Sequence, residues 1–244
     1  MIFETAVEPA IKPIVWETTF AEIIPRTKDV KSFRFKKPEG FRSLAGQWMY
    51  INIKIGGVQK LHHFTMSSSP TENFIEFTKK ITDSQYSRAL DEMKPGDWAK
   101  INAPFGQFTY SGENIKIGAL TGGIGITPLR SICRFCADKK LPTSIVMLYS
   151  NKNEEEIVFK SELNEMQKSD PNIVIENVLT RQPDWKGLKG HVDAEMIKAR
   201  IPDYSERVFY ICGPPGMNEA MKKALEGLSL REDQIKIEDF TGYP

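Results

Sequence analysis

The spacing of apolar residues along the chain changes near residue 110. Before that point, apolar and polar residues alternate over short stretches, and turn residues such as Gly56 and Gly57 separate them. Alternation with a period of two is typical of half-buried strands, and a glycine pair is typical of a hairpin. The first half is therefore predicted to be a β-barrel or sandwich. Its predicted strands are 18–24, 31–35, 48–55, 61–67, 74–78 and one starting at Trp98, with one helix at 84–93.

After residue 114, short apolar runs alternate with longer stretches of helical spacing. The predicted order is strand 115–120, helix 128–139, strand 144–149, helix 154–167, strand 173–179, helix 193–200, strand 207–212, helix 214–225 and strand 234–237. Such alternation predicts a doubly wound parallel sheet. The polar stretch 110–114 places a domain boundary between residues 1–112 and 113–244. The residues before about Trp16 show no pattern and are expected to form an N-terminal arm.

A glycine-rich loop follows the first predicted strand of the second half. It contains Gly122, Gly123 and Gly125, and we expect Thr127 to cap the next helix and Pro128 to open it. Glycines let a ligand approach the backbone, and a helix N-terminus attracts anions, so the loop is a candidate pyrophosphate site. A tight connection without a ligand stays open, because Pro128 replaces the last glycine of the usual dinucleotide fingerprint.

Composition narrows the classes of function. The 244 residues carry a net charge of +1, with 40% hydrophobic and 27% charged residues, which is ordinary for a globular protein. The charge gives no indication of nucleic-acid or anionic-membrane binding. No apolar run approaches the length of a membrane span, and the N-terminus lacks the pattern of a signal peptide. We therefore expect a cytoplasmic protein.

The cysteines and histidines do not form a metal-binding pattern. Cys133 and Cys136 share the apolar face of a predicted helix, and the chain has no second cysteine pair. An iron–sulfur cluster or a structural zinc site usually needs four ligands. Buried helical cysteines are the favoured interpretation. We expect no iron–sulfur cluster and no metal.

Two further segments join strand ends to chemistry-bearing residues. The segment 212–217, with Cys212, ends a strand and begins a helix, on the same sheet edge as the glycine loop. The segment 61–70 combines imidazoles, Phe64 and Thr65 on one strand. Phe64 as core and Thr65 as a strand former are the structural alternatives. As a set, an aromatic face, a hydroxyl and a weak cation suit a flat, phosphorylated ring cofactor.

These segments resemble those of the ferredoxin–NADP reductase family, over about residues 16–243. The family's flavin signature is Arg-x-Tyr-Ser/Thr, and the matching residues here run from His62 to Thr65. The resemblance implies an antiparallel Greek-key β-barrel that binds FAD, followed by an α/β domain that binds NAD(P). It also implies that Phe64 lies against the isoalloxazine and that Thr65 bonds near flavin N5. His62 would replace the arginine that pairs with the pyrophosphate, giving up its fixed charge.

The remaining site residues also come from the resemblance. The family's second flavin segment corresponds to Lys79 and to 84–87, where Ser84 replaces a glycine; there Tyr86 and Ser87 are expected to contact FAD. The nucleotide residues implied are Thr121, Gly122, Gly123, Gly125, Thr127, Asn151, Lys152, Arg181, Cys212, Gly213, Pro214 and Met217. Near the C-terminus, the carboxylate of Glu238 would help position the nicotinamide, and the Phe240 ring would cover the flavin.

The implied activity is hydride transfer from NAD(P)H to FAD, with Thr65, Cys212, Glu238 and Phe240 at the contact. Lys152 and Arg181 favour NADPH slightly, because cations suit a 2′-phosphate, although Lys152 as a solvated loop charge is an equal alternative. The acceptor is expected to be separate: a ferredoxin- or flavodoxin-like protein, an oxygenase component or a small molecule. Two alternatives are an FAD-bearing subunit that is inactive without its complex and a nucleotide-binding module that has lost flavin.

Overall fold

The computed structural model describes residues 11–240 of the chain. The first half forms one antiparallel six-stranded sheet in the order β4-β3-β6-β1-β2-β5. Its strands are β1 Ile14–Thr27, β2 Val30–Lys36, β3 Trp48–Ile55, β4 Val58–Thr65, β5 Phe74–Lys80 and β6 Trp98–Phe105, and helix α1 is Gln85–Glu92. The sheet curls until Met66, just past one edge strand, bridges Phe77 on the other edge. The result is the predicted β-barrel.

The barrel interior is built from the alternating apolar positions of its strands. Phe33 and Phe64 both stack on the Phe77 ring, with centroid distances of 4.8 and 4.7 Å. Phe33, Phe77 and Ile51 are fully buried. Aromatic pairs in such arrangements add to the free energy of apolar burial. This stack fixes the β4 strand, and with it one wall of the site described below.

The second half is a parallel sheet with helices on its faces, as predicted. The strand order is β10-β9-β8-β7-β11-β12, and every pairing is parallel. Its strands are β7 Lys116–Gly122, β8 Ser144–Asn151, β9 Ile173–Leu179, β10 Leu188–Lys189, β11 Val208–Gly213 and β12 Ile235–Asp239. Its helices are α2 Ile126–Lys139, α3 Lys160–Ser169, α4 Ala194–Arg200 and α5 Pro215–Gly227. The carboxyl ends of the strands share one edge that faces the barrel.

Three local predictions were wrong. The N-terminal arm ends earlier than expected, because β1 already begins at Ile14; residues 1–10 of that arm lie outside the described residues. Thr127 does not cap α2 and Pro128 does not open it, because a 3₁₀ turn at Gly123–Gly125 leads directly into the helix, of which Thr127 and Pro128 are the second and third residues. The helix predicted at 154–167 is broken. Residues 154–156 form a separate 3₁₀ turn, and α3 starts only after the left-handed Phe159.

The break before α3 has a packing cause. Ile157, Val158 and Phe159 are consecutive and all buried, at 4%, 1% and 3% exposure. A regular helix cannot direct three consecutive side chains into one core, because its apolar face recurs only every three or four residues. The chain therefore turns inward here before the helix begins.

The predicted burial of the helical cysteines is confirmed. Cys133 and Cys136 lie on α2 at 1% and 0% exposure within the core of the second domain. Burial raises the pKa of both thiols, to about 12 for Cys136, so both stay protonated at neutral pH. Among residues 11–240, no helix combines the length and the apolar character needed to cross a membrane.

Candidate flavin and nucleotide site

A cavity of about 310 Å³ lies where the barrel meets the carboxyl edge of the parallel sheet. It is bounded by the start of β3, the end of β4, the end of β5, the start of α1, the glycine loop and the end of β12. The lining residues are Trp48, His62, His63, Phe64, Thr65, Thr78, Lys79, Thr82, Ser84, Tyr86, Ile124, Thr127, Glu238, Asp239 and Phe240. Both domains therefore contribute to one cavity.

The barrel wall of this cavity is aromatic. The Phe64 ring, stacked on Phe77 behind it, lies 5.9 Å from the Tyr86 ring, and His62 packs on Tyr86 at 4.1 Å. The Tyr86 hydroxyl donates to the Ile51 carbonyl at 3.2 Å, which holds the ring in place. Flat apolar walls of this kind accept a flat ring system, so the sequence-based expectation for Phe64 fits the geometry.

Lys79 supplies a buried positive charge beside the aromatic wall. Its ammonium lies 5.9 Å from the Phe64 centroid and donates to the Lys80 carbonyl at 3.1 Å. Burial lowers the pKa of Lys79 to about 8, and burial, Lys79 and His63 lower the pKa of His62. At neutral pH Lys79 is thus mostly cationic while His62 is neutral. Lys79, rather than His62, is the residue equipped to offset phosphate charge here.

The start of α1 lies at the rim of the cavity. Ser84 caps the helix, its hydroxyl accepting from the Ser87 backbone N–H at 3.2 Å. The Ser87 hydroxyl shares a 3.0 Å hydrogen bond with Thr82 and is fully buried, so Ser84 and Thr82 face the cavity instead of Ser87. Thr82 is not among the predicted site residues, because no pattern in the sequence indicates that the β5–α1 connection folds over the site.

The end of β12 brings two predicted residues to the cavity from the second domain. Glu238 lies beside Asp239, and burial first, then the Asp239 charge, raises the pKa of Glu238 to about 7. Phe240 also lines the cavity. Asn218, at 2% exposure on α5, donates to the Glu238 carbonyl at 3.0 Å and to the Asp239 carboxylate at 2.8 Å. The strand end is therefore anchored where Glu238 and Phe240 enter the site.

Cys212 has a different position from the other predicted contact residues. It is fully buried next to Glu238 in the sheet register, and it lines neither this cavity nor the second cavity described below. Burial raises the pKa of its thiol well above the ordinary value, and Glu238 and Asp239 add to the effect. Its carbonyl accepts a hydrogen bond from Thr121 Oγ1 at 2.8 Å. In this conformation Cys212 is a neutral thiol on β11, the strand next to β12, and β12 carries Glu238 into the cavity.

A second cavity, of about 520 Å³, continues along the sheet edge. It shares Thr82 and Ile124 with the first cavity, so the two are contiguous. Seven predicted nucleotide residues line it: Gly122, Gly123, Asn151, Lys152, Arg181, Pro214 and Met217. Lys80, Ser150, Glu156, Thr180 and His191 complete the lining. The predicted residues Thr121, Gly125 and Gly213 are buried and do not line it.

Two observations bear on what this second cavity can hold. The buried Asn151 amide lies at the carboxyl end of β8 facing the cavity, and neither of its polar atoms completes a well-formed hydrogen bond, although the amide interacts with the Tyr149 side chain. Buried polar groups are rarely left unsatisfied without a functional reason. In addition, a Cβ on Gly125 would lie 2.3 Å from the Cys212 carbonyl oxygen, so only glycine permits the loop to cross the strand end this closely. Loop and amide together form a site for a polar ligand.

Comparison with known proteins agrees with this geometry. Residues 19–110 match the family of oxidoreductase FAD-binding domains, and residues 120–223 match the oxidoreductase NAD-binding domain. NADH-cytochrome b5 reductase 1 of Scheffersomyces stipitis is 33% identical over 234 residues, which cover 88% of this chain and 81% of that protein. The glycine betaine monooxygenase reductase subunit of Chromohalobacter salexigens is 28% identical over 91% of this chain, but the match covers 63% of that subunit.

Solved structures share the fold. A ferredoxin NADP+ reductase from Neisseria gonorrhoeae with bound FAD and NADP superposes with a TM-score of 0.79 at 21% identity, covering 92% of this chain and 98% of that one. The FAD/NAD-binding domain of nitric oxide dioxygenase from Vibrio cholerae gives 0.83 at 21% identity, with 92% and 98% coverage. The chain belongs to the ferredoxin–NADP reductase-like family of FAD- and NAD(P)-binding oxidoreductases.

Proposed function

We propose that the two contiguous cavities hold FAD and NAD(P)H, and that the enzyme moves a hydride between them before electrons leave to a separate acceptor. FAD, when bound, supplies the redox chemistry by accepting the hydride and releasing electrons singly or as a pair. The observation that carries the proposal is the joint lining of one cavity by Phe64 and Thr65 from the barrel and Glu238 and Phe240 from the parallel sheet.

The residues of the chain position the two cofactors, shield the contact between them from water and balance their charge. Phe64 provides the flat wall and Lys79 the buried positive charge on the flavin side. Phe240 covers the cavity from the nucleotide side, and displacement of its ring would open the contact to the nicotinamide. Glu238, with a pKa raised to about 7, is partly protonated at neutral pH and can both donate and accept a hydrogen bond. Excluding water and fixing orientation is what a protein contributes to such a transfer.

Charge around the second cavity favours NADPH. Lys80, Lys152 and Arg181 line it against one carboxylate, Glu156. Lys152 and Arg181 follow neighbouring strands of the sheet, and their backbones are joined by a 2.8 Å hydrogen bond from the Arg181 N–H to the Lys152 carbonyl. Two adjacent cations at strand ends suit a 2′-phosphate, whereas an acidic residue there would suit a free 2′-hydroxyl. We propose that NADPH binds at least as well as NADH.

The acceptor in our proposal is a separate redox protein. Relatives of this chain are named NADH-cytochrome b5 reductase and glycine betaine monooxygenase reductase subunit, and these names support an acceptor such as cytochrome b5 or an oxygenase component. A ferredoxin- or flavodoxin-like protein fits the same role.

The decisive experiment is anaerobic reduction of the FAD-supplemented protein, followed by its visible spectrum. We expect the flavin absorbance to bleach on addition of NADPH and, separately, of NADH, with stopped-flow rates giving the preferred donor. A flavin band that neither donor bleaches would contradict the hydride step and favour an FAD-bearing subunit that needs its complex. Failure to bind FAD would contradict the flavin site itself.

A further inference from the structure

Helix α2 links the two cavities physically. It begins at Ile126, directly after the glycine loop, and Thr127 in its first turn already lines the first cavity. One turn further on, Arg130 and Ser131 contact the barrel segment that follows Thr65. The same helix therefore contacts both candidate cofactor regions.

Arg130 is the centre of this contact. It is 2% exposed, and its guanidinium donates to the Ser67 carbonyl at 3.0 Å, two residues beyond Thr65. It also binds Glu72 of the barrel through both terminal nitrogens, with Nη2 to Oε1 at 2.9 Å, and Glu162 of α3 at 2.7 Å. Next to it, Ser131 Oγ donates to the Ser68 carbonyl at 2.7 Å. Two consecutive helix residues thus hold two consecutive barrel carbonyls.

The surrounding charges keep this contact rigid. Burial alone would lower the pKa of Arg130, but the hydrogen bond and charge of Glu72 raise it, so the side chain stays cationic. Arg26 of the barrel also binds Glu162, at 2.5 Å, and both guanidinium groups pack on the Phe159 ring, at 4.8 and 5.6 Å. A guanidinium fork fixes its partners in several directions at once, which an ammonium cannot do.

We propose that Arg130, assisted by Ser131, is a positioning residue that sets the separation between the end of strand β4, at Phe64 and Thr65, and the glycine loop. The inference rests on the proposed hydride transfer, because that reaction is what makes the separation matter. An error of about 1 Å in the placement of reacting groups can cost on the order of 100-fold in rate. Arg130 holds the chain just after Thr65, and it lies on a helix whose first turn adjoins the glycine loop. Loss of the Arg130 guanidinium therefore shifts the end of β4 relative to the glycine loop.

The test compares Arg130→Lys with Arg207→Lys in the FAD-loaded protein. Arg207 is a matched control: it is 5% exposed, binds the Asp203 carboxylate and donates to the Ile117 and Ser144 carbonyls, but at the opposite edge of the sheet. Lysine keeps the charge and removes the fork in both variants. Ser131→Ala, which removes one hydrogen bond only, serves if Arg130→Lys does not fold.

We expect Arg130→Lys to lower the rate constant of flavin reduction at saturating NADPH at least tenfold, while FAD content and the Kd for NADP+ stay within twofold of wild type. Ser131→Ala should lower it about threefold, and Arg207→Lys should leave it within twofold even where its Tm falls equally. Hydrogen exchange provides a readout besides activity: the amides of 66–69 should exchange faster in Arg130→Lys and not in Arg207→Lys.

Three results would overturn the inference. Reduction by both Arg130→Lys and Ser131→Ala at the wild-type rate would show that the contact does not position the cofactors. An equal loss in Arg207→Lys would assign the effect to general stability. If wild-type protein binds FAD but is not reduced, the proposed function fails, and the inference fails with it; a reducible wild type with unaffected variants refutes the inference alone.

Discussion

The two cavities are built by opposite means. The second cavity, the candidate nucleotide cavity, is lined by the glycine loop and by two exposed cations, Lys152 and Arg181, that follow neighbouring strands, together with Lys80 at the end of β5. The first cavity, the candidate flavin cavity, is formed by residues from six separate segments, with a stacked aromatic wall and a buried lysine. Where a loop approaches another backbone segment closely, even one added methyl group is expected to disturb the structure. Where packed side chains form the wall, ligand affinity is expected to depend on the shape and charge of each side chain.

The largest expected effect concerns backbone space in the nucleotide loop. Gly125→Ala would place a Cβ 2.3 Å from the Cys212 carbonyl oxygen and 2.7 Å from Gly213 Cα, both of them backbone atoms. We expect a loss of about 3 kcal/mol in the free energy of unfolding, because packed backbone cannot yield as side chains do. Urea unfolding measures it. Gly216→Ala on α5, which meets nothing within 4 Å, is the control and should be neutral or slightly stabilising. Equal stabilities for the two variants would contradict the close approach.

The next effect concerns the aromatic wall. Phe64→Leu keeps apolar bulk but removes the flat ring, and we expect FAD affinity to fall roughly 30-fold, about 2 kcal/mol, in keeping with ring stacking. Phe33→Leu is the matched control, because Phe33 stacks on the same Phe77 ring without lining the cavity. It should lower the Tm and leave FAD affinity within about threefold. Fluorescence titration with FAD measures the affinity of both variants. Similar losses of affinity in the two variants would reduce Phe64 to a core residue.

A smaller effect should separate the two donors. Arg181→Gln is expected to weaken NADPH binding about tenfold and NADH binding less than twofold, because a charge-assisted contact to a 2′-phosphate is lost. Lys152→Gln should act in the same direction more weakly. Arg231→Gln, an exposed arginine beside Asp233 and outside both cavities, is the control. Equal losses for both nucleotides in Arg181→Gln would make Arg181 a bystander.

The smallest effect is a pH dependence at the domain contact. The folded pKa of Glu238 is raised to about 7 from an ordinary value of 4.5, so its contribution to stability is full below pH 4.5 and is lost as the pH rises through 7. Glu238→Gln removes this loss. At pH 8 we expect the variant to be more stable than wild type by about 1 kcal/mol, after allowance for solvent screening, and to be equal at pH 4.5. Denaturant unfolding at both pH values tests this, with exposed Glu155→Gln as the control. A pH-independent difference would contradict the raised pKa.

Much of the fold could be predicted because its patterns are local. Strand β3 has the predicted bounds, the glycine hairpin after it is present, and the helix predicted at 193–200 is α4, which Asp193 caps. These features depend on neighbouring residues alone, through alternation, turn chemistry and capping. The prediction of one helix over 154–167 was wrong because its consecutive apolar residues pack into a core that other segments of the chain form.

The sequence by itself determined the two-domain order, the glycine loop and the aromatic end of β4, since each depends on a pattern of consecutive residues. Only the tertiary structure decided that Ser84 and Thr82 rather than Ser87 face the cavity, that Cys212 is covered, and that Arg130 joins the domains. These outcomes depend on which distant segments meet. Arg130 and Ser67 are 63 residues apart in the sequence, and no periodicity or motif predicts a contact between residues so far apart. Long-range contact is set by the packing of whole elements, which local sequence does not encode.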